Sequence, residues 1–178
     1  MKGSIYRSLA VLFILFVLPW HLGAADVVLN NAPASVCFSP HGGATRAIVR
    51  QIGEATRELL VEAYLFTSKP IQTALVKARK RGVEVDVILD GYEQREHKHV
   101  AARVLRAGGV SVWLDDRHAC AHNKVIVVDR QTVITGSFNF TYAAEGKNAE
   151  NLLIITSREL AALYTDNFLK HRRHSKRY

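Results

Sequence analysis

The spacing of apolar positions along the chain predicts alternating helices and strands. Apolar residues recur at helical intervals over residues 44–58, whereas residues 59–66 form an apolar run that is typical of a buried strand. A second helix follows, with Ser68 as a candidate N-cap and Gly82 at its end, and it leads into a strand over residues 83–89. Two strands joined by a helix usually lie parallel in one sheet, with a right-handed crossover. The first half of the chain therefore predicts a parallel unit covered by helices.

The second half of the pattern predicts a hairpin and several further elements. A helix over residues 93–107 ends before two glycines, and a short strand follows at residues 110–114. Residues 124–128 and 132–135 are strand-like on either side of a polar turn, which indicates an antiparallel hairpin. The remaining predicted elements are a first strand, a late strand and a closing helix, at residues 35–38, 152–156 and 160–169. We therefore expect an α/β fold with a mixed, mainly parallel central sheet that helices flank on both faces.

An apolar run near the start of the chain predicts a secretory signal. Residues 9–18 are ten consecutive apolar residues, preceded by two basic residues and followed by small residues up to Ala25. The run is shorter than the roughly 20 residues that span a bilayer. We expect residues 1–25 to be a signal peptide cleaved near Ala25, residues 26–178 to form a single domain, and the protein to be secreted or periplasmic. The alternative is a signal that is retained as a membrane anchor.

The charge balance favours a polyanionic partner. The chain has 24 Lys and Arg residues against 16 acidic ones, a net charge of +8. Removal of residues 1–25 takes away two basic residues and no acidic one, which leaves +6. Nucleic acid and an anionic membrane surface both attract such a protein, so charge does not choose between them. Five of the nine residues in the C-terminal segment 170–178 are basic, which fits either a solvated tail or a set of phosphate contacts.

Polar residues suited to phosphate chemistry surround the predicted hairpin. Residues two apart in an extended segment share a face, so the side chains of His122 and Lys124 converge. Asp129 has the opposite parity and lies where the hairpin turns, so we expect its carboxylate to have a structural role. Ser137 and Asn139 lie just past the returning strand, near the His122 end of the hairpin, where they can donate to phosphate oxygens.

These residues supply most of what phosphodiester hydrolysis requires. The reaction needs a nucleophile, positive charge or donors for the phosphoryl oxygens, and an acid for the leaving oxygen. Neutral His122 can attack, and Glu150 can orient its imidazole through the other ring nitrogen. Lys124, Ser137 and Asn139 can hold the phosphoryl oxygens. The acid is missing from this set.

The same residues carry a resemblance to a known family. His122, Lys124 and Asp129 match the HxKxxxxD signature of the phospholipase D superfamily, and residues 136–139 with 150–151 match its downstream companion. More narrowly, the chain resembles the small bacterial EDTA-resistant endonucleases of that superfamily. The resemblance implies a phospholipase D-like sandwich fold and a metal-independent phosphodiesterase that needs no cofactor.

The resemblance also implies a dimeric site. Large members of the superfamily carry two copies of the motif, whereas this chain has one, so the resemblance implies a homodimer in which two His122 residues face each other. One His122 then forms a covalent phosphohistidine, while the other donates a proton to the leaving oxygen and later activates water. The implied substrate is DNA, or RNA, cut without sequence preference. The alternatives are a lipid phosphodiesterase acting on an anionic lipid such as cardiolipin, and a non-catalytic module that binds nucleic acid.

Cysteines, aspartates and the other histidines leave further alternatives. Cys37 and Cys120 can form one disulfide after export, or stay as two unpaired thiols. Residues 118–122 contain two histidines and a cysteine, but their spacing matches no common structural zinc pattern, so we predict no metal. Asp90 and residues 115–116 are interpreted as caps at the ends of strands. The remaining histidines are expected at the surface: His41, His97, His99, His118, His171 and His174.

Overall fold

The computed structural model describes residues 24–178, so the predicted signal peptide lies almost entirely outside the described residues. Within this range eight strands form: β1 Ala34–Ser39, β2 Glu58–Ala63, β3 Glu84–Asp90, β4 Ser111–Asp115, β5 Lys124–Val128, β6 Thr132–Gly136, β7 Glu150–Thr156 and β8 Lys176–Arg177. The helices in the same range are α1 Ala44–Glu54, α2 Lys69–Lys80, α3 Gly91–Glu96, α4 Val100–Ala107, α5 Tyr142–Gly146 and α6 Arg158–His174. In this part of the chain, no helix is both long and apolar enough to cross a membrane.

The strands form one sheet in the order β1-β7-β6-β5-β2-β3-β4-β8. The β2–β3 and β3–β4 pairs are parallel, and the other five pairings between described strands are antiparallel. The predicted mixed sheet is confirmed, but the predicted predominance of parallel strands is wrong. Helical crossovers, which return a strand in the same direction, join β2 to β3 and β3 to β4, whereas the short β5–β6 hairpin must reverse it.

Helices cover both faces of the sheet, as predicted. Successive strand residues point to opposite faces, so Leu60 and Val61 belong to different apolar cores. Val61 and Val87 lie in the core that also contains buried residues of α1, α2 and α4. On the other face, Leu60 and Ile88 lie in a smaller core with Phe168 of α6. Polar side chains lie at the ends of the strands, between these two layers.

Two predicted helices have different ends in the structure. The helix predicted over residues 93–107 is divided into α3 and α4, because Lys98 and His99 take positive φ angles of 52° and 54°. Helix α1 ends at Glu54, earlier than predicted. The backbone amides that follow it bind the Asp129 carboxylate, and this long-range contact turns the chain into β2.

The basic C-terminal segment, residues 170–178, is part of the fold. Helix α6 continues to His174, past its predicted end, and β8 pairs antiparallel with β4. Arg172 donates to the Asp86 carboxylate at 2.6 Å. The segment is therefore not a free tail, although four of its five basic residues are exposed: Lys170, Arg173, Lys176 and Arg177.

Of the two alternatives for the cysteines, the structure has the unpaired thiols and not the disulfide. Cys37 lies in the edge strand β1, whereas Cys120 is exposed in the segment that leads into β5. Strands β7 and β6 separate β1 from β5, a distance of roughly 14 Å at the usual strand spacing. A disulfide requires Cα atoms within about 7 Å of each other.

Candidate active site

His122 and Lys124 lie together at the start of β5, near the end of β2 where Lys124 is paired with Ala63. The Lys124 ammonium lies 2.9 Å from Nδ1 of His122 and donates to the His122 carbonyl oxygen at 2.7 Å. Residue Lys124 is only 6% exposed, whereas His122 is exposed to solvent. The pair therefore presents a reactive ring at the surface, supported by a buried cation.

The charge of Lys124 is held in a partly dry environment. Burial lowers the pKa of Lys124, and the nearby Cys120 and Glu150 act in the opposite direction. A charge that is shielded from water interacts more strongly with an approaching anion than an exposed one does. Lys124 is thus placed to stabilise a phosphoryl group.

Tyr64, which the sequence analysis did not single out, forms a wall of the site. Its ring lies 4.5 Å from the His122 ring, and the Lys124 ammonium is 5.1 Å from the Tyr64 ring centroid, within range of a cation–π contact. The Tyr64 hydroxyl donates to Glu93 at 3.0 Å. This hydrogen bond, with burial and the Glu93 charge, raises the pKa of Tyr64 to about 12. An aromatic residue directly after a buried strand was the sequence signal that could have pointed to it.

Asp90 positions the chain just before His122. One oxygen of its carboxylate accepts from Glu93 N–H and caps α3, and the other accepts from Ala121 N–H at 2.7 Å. The Asn123 carbonyl oxygen accepts from Tyr64 N–H at 3.0 Å. These bonds on either side of His122 hold its backbone against the ends of β2 and β3. The prediction that Asp90 acts as a cap is confirmed, but its second bond was not foreseen.

Ser137 and Asn139 follow the end of β6, as their positions in the sequence imply. The Ser137 hydroxyl oxygen accepts from the backbone N–H of Asn151 at 3.0 Å and from its side chain at 3.3 Å. A side chain at Gly136 would overlap the Asn151 carbonyl, so a glycine is needed at this turn. Asn139 lies between the buried rings of Phe138 and Phe140, which anchor the loop.

The Asn139 side chain has an unpaired polar atom. Its Oδ1 is buried and has no hydrogen-bond partner among the described residues. Buried polar atoms are nearly always paired in folded proteins, so this acceptor oxygen indicates a place for a hydrogen-bond donor. Asn139 is therefore available to a substrate or to ordered water.

Glu150 does not make the contact that the sequence analysis predicted. Its carboxylate accepts from the Asn148 side chain at 3.0 Å, and Nδ1 of His122 is next to Lys124 instead. The negative charge of Glu150 acts to raise the pKa of Lys124, so Glu150 still influences the site. The predicted Glu150–His122 hydrogen bond is therefore not formed among the described residues.

Asp129 lies at the opposite end of β5 from Lys124, in a turn where its φ is 53°. Its carboxylate accepts from the backbone N–H groups of Thr56, Arg57 and Glu58 at 2.8–2.9 Å and from the Thr56 hydroxyl. Burial acts to raise the pKa of Asp129, but these donors outweigh it and hold the pKa below its usual value. Its contacts connect the hairpin turn to the start of β2.

Three of the histidines that were expected at the surface form a cluster, and only His118 of the three is exposed. His171 and His174 of α6 are half-buried and hydrogen-bond to Glu62 and Asp115 respectively, and His118 also bonds to Asp115. The expectation failed for His171 and His174 because residues far apart in sequence, at the ends of β2 and β4, supply their partners. The His122 ring is not in contact with any of these rings, and its neighbours are Tyr64 and Lys124.

Comparisons with known proteins agree with this geometry. A family model described as "Cardiolipin synthase, PLD-like domain" matches residues 48–172. A protein named phospholipase D from Rickettsia felis is 42% identical over 144 residues, which cover 81% of this chain and 72% of the relative. The mitochondrial cardiolipin hydrolase of Xenopus laevis is 32% identical over 146 residues, with coverage of 80% and 68% respectively.

Solved structures show the same fold. The crystal structure of Nuc from Salmonella typhimurium, described as a phospholipase D family member, is 34% identical, with a TM-score of 0.79 over 83% of this chain and 98% of that one. NucT from Helicobacter pylori has a TM-score of 0.75 over 83% of this chain and 99% of its own, and its 21% identity supports the fold alone. The protein therefore belongs to the phospholipase D superfamily and is a phosphodiesterase of that group.

Proposed function

We propose that this protein is a metal-independent endonuclease that cleaves DNA, with RNA as a second substrate, through a phosphohistidine intermediate on His122. The observation that carries the proposal is the 2.9 Å contact between Lys124 Nζ and His122 Nδ1 at the solvent-exposed start of β5. A nucleophile in contact with a cation can engage one phosphodiester without a metal ion.

The first chemical step uses Nε2 of His122, which has no hydrogen-bond partner among the described residues. Nε2 forms a bond to phosphorus while the bond from phosphorus to the leaving oxygen breaks. For Nε2 to carry the lone pair, the ring proton must be on Nδ1. With Lys124 donating to Nδ1, the ring proton lies on Nε2 before substrate binds. When Lys124 moves its hydrogen bond to a phosphoryl oxygen, solvent water takes the proton from Nε2 and returns one to Nδ1, whose N–H then donates to Glu150. Asn139 and Ser137 complete the set of groups around the phosphoryl oxygens.

The acid for the leaving oxygen comes from a second copy of the chain. No other histidine ring packs against His122 in residues 24–178, yet His122 is exposed enough to meet one from outside. In a homodimer with a twofold axis at this point, each subunit presents the same residue to the other. The protonated His122 of the second copy gives its proton to the leaving oxygen. It then takes a proton from water, which attacks phosphorus and breaks the bond to Nε2.

Nucleic acid is the favoured substrate because of a structural likeness. The net charge of +6 that remains without residues 1–25 attracts a polyanion, but it would also attract an anionic membrane, so the likeness carries the preference. The structural relative at 34% identity is a protein named Nuc. A non-catalytic binding module is the least supported alternative, because His122 and Lys124 are both present and in contact.

A lipid phosphodiesterase is the second candidate, and one feature of the structure favours it. A cavity of about 320 Å³ opens beside Tyr64, lined by apolar residues such as Phe66, Val100, Ala101 and Val104. An apolar cavity next to a phosphate site fits an acyl chain as well as a nucleobase. Relatives named phospholipase D and cardiolipin hydrolase are consistent with this alternative.

The test compares three substrates under identical conditions. The full-length preparation is incubated in EDTA with plasmid DNA, with single-stranded RNA and with cardiolipin vesicles, alongside His122→Ala. We expect nicked and linear plasmid from the native protein and none from His122→Ala. His41→Asn is the matched control, because His41 is an exposed histidine outside the cavity beside Tyr64, and asparagine tolerates its positive φ of 67°.

The outcomes separate the alternatives. Turnover of cardiolipin with intact plasmid and RNA would replace the nuclease proposal with the lipid one. Plasmid cleavage that EDTA abolishes would overturn the metal-free mechanism. Binding of DNA without cleavage of any substrate would support the non-catalytic module. Acid quenching during turnover of ³²P-labelled DNA should leave label on the native protein and none on His122→Ala, because phosphohistidine is covalent.

We also propose that residues 1–25 direct export and are cleaved near Ala25, so that the mature enzyme is secreted or periplasmic. The support is the apolar run of residues 9–18 with small residues after it. N-terminal sequencing of protein recovered from a bacterial periplasm should begin near Asp26. Recovery of the intact chain in the membrane fraction would favour the retained anchor.

A further inference from the structure

Asp115, His118 and His174 bring three metal-ligating side chains together at one edge of the sheet. Asp115 ends β4, His118 lies in the segment after it, and His174 is the last residue of α6. One ligand atom from each of them lies within 4.8 Å of the others. His118 Nδ1 is 2.8 Å and His174 Nε2 is 3.3 Å from the same oxygen of Asp115.

We propose that Asp115, His118 and His174 bind one Zn²⁺ ion per chain, at a site separate from the catalytic His122. Two imidazoles and a carboxylate are common zinc ligands, and imidazole disfavours Mg²⁺ and Ca²⁺. Bonds of about 2.0–2.2 Å in a tetrahedron place ligand atoms roughly 3.3 Å apart. The two separations from Asp115, 2.8 and 3.3 Å, are close to this value, and the two histidine nitrogens lie within 4.8 Å of each other, so side-chain rotation can close the site.

The three ligands differ in how deeply they are buried, and this difference suits a metal site. Asp115 is 1% exposed and belongs to a strand, so its carboxylate is fixed in place. His174 is half-buried on a packed helix. His118 is exposed in an irregular segment and can adjust to complete the geometry. Two rigid ligands and one adjustable ligand leave an open path for the ion.

His171 packs beside the three ligands but is not one of the residues whose ligand atoms converge. Its ring lies 5.0 Å from the His118 ring and 5.7 Å from the His174 ring. Its Nδ1 bonds to the buried Glu62 at 2.6 Å, and its Nε2 has no hydrogen-bond partner among the described residues. A carboxylate on one nitrogen of an imidazole commonly orients the other nitrogen toward a metal. Here the Glu62 bond holds His171 beside the site, outside the converging set, so water would take the fourth position on the ion.

A zinc ion here would have a structural consequence for the active site without entering the chemistry. The segment from Asp116 to Asn123 joins β4 to β5 and contains both His118 and His122. Zinc would attach this segment to the C-terminal helix, in addition to the bond from Asp90 to Ala121 N–H. The phosphodiesterase step needs no ion, so the two proposals are independent.

The test is direct metal binding by the whole chain without a histidine tag. Chelator-stripped protein is titrated with Zn²⁺ by calorimetry, and with Co²⁺ while the visible spectrum is recorded. We expect one Zn²⁺ per chain at micromolar affinity or tighter, and the intense d–d bands of tetrahedral Co²⁺. His118→Ala and His174→Ala should each weaken Zn²⁺ binding more than about 100-fold, and Mg²⁺ should not bind.

The controls keep the proposal falsifiable. His97→Ala, and separately His122→Ala, should retain the full Zn²⁺ stoichiometry. His118 is exposed, so a native circular dichroism spectrum is expected for its alanine variant, and that spectrum verifies the fold. Unchanged Zn²⁺ affinity in His118→Ala and His174→Ala, or equal loss in His97→Ala or His122→Ala, would overturn the site. Absence of nuclease activity would not alter the zinc result, so failure of either proposal can be recognised separately.

Discussion

Lys124 contacts His122 twice, through Nδ1 of the ring at 2.9 Å and through the carbonyl oxygen at 2.7 Å. The cation is thereby held beside the nucleophile before any substrate arrives. Two hydrogen bonds from one ammonium fix both the ring and the backbone of His122. The relationship makes the Lys124 charge the first target for mutation.

Lys124→Gln should reduce phosphodiesterase turnover by about 10²- to 10³-fold, the usual effect of removing a group that stabilises transition-state charge. Glutamine keeps a donor but loses the charge. Single-turnover rates on a fluorescent dinucleotide phosphodiester measure the effect. Lys80→Gln, at an exposed helix end, is the matched control and should remain within about twofold. Equal activity in the two variants would remove Lys124 from the mechanism.

Tyr64→Phe should leave the pH profile of turnover unchanged below about pH 10. The pKa of Tyr64 is raised to about 12, so its hydroxyl stays protonated over this range and transfers no proton. Phenylalanine keeps the ring against His122 and loses the bond to Glu93, which costs about 1 kcal/mol of stability. Tyr64→Ala also removes the ring, so it should lower turnover more than Tyr64→Phe does. A profile displaced by Tyr64→Phe would mean that the hydroxyl participates in proton transfer.

Asp129→Asn should lower the free energy of unfolding by about 1–3 kcal/mol near pH 7, measured by urea denaturation. The folded-state pKa of Asp129 is lowered, so its contribution is present above the unfolded-state pKa of about 3.8 and is lost as pH falls through the folded value. The difference between variant and native protein should therefore narrow below about pH 4. Asp166→Asn, at an exposed position, should show no such change.

Mixing native protein with an equal amount of His122→Ala tests whether the active site is shared between two chains. If each dimer needs two His122 residues, native subunits that exchange into mixed dimers become inactive. An equal mixture after subunit exchange should retain about one quarter of the activity of an all-native sample at the same total concentration. The same mixture made with His41→Asn, an exposed position outside the cavity beside Tyr64, should keep full activity. A value near one half would show that each chain works alone.

Local sequence patterns were sufficient for most of the secondary structure. The β5–β6 hairpin was predictable because two apolar runs flank a polar turn, and two adjacent residues at positive φ, Asp129 and Arg130, close it. The break between α3 and α4 was not predictable, because apolar spacing continues across Lys98 and His99. The sheet order could not be read from periodicity, which identifies strands but not their neighbours.

The sequence by itself determined the family and the pairing of His122 with Lys124, because residues two apart on a strand must share a face whatever surrounds them. Only the tertiary structure decided what completes that pair. Tyr64 reaches His122 because β2 lies beside β5, and His174 meets Asp115 because α6 packs on one face of the sheet and ends near the end of β4. Such contacts depend on packing between distant segments, and local spacing carries no information about that.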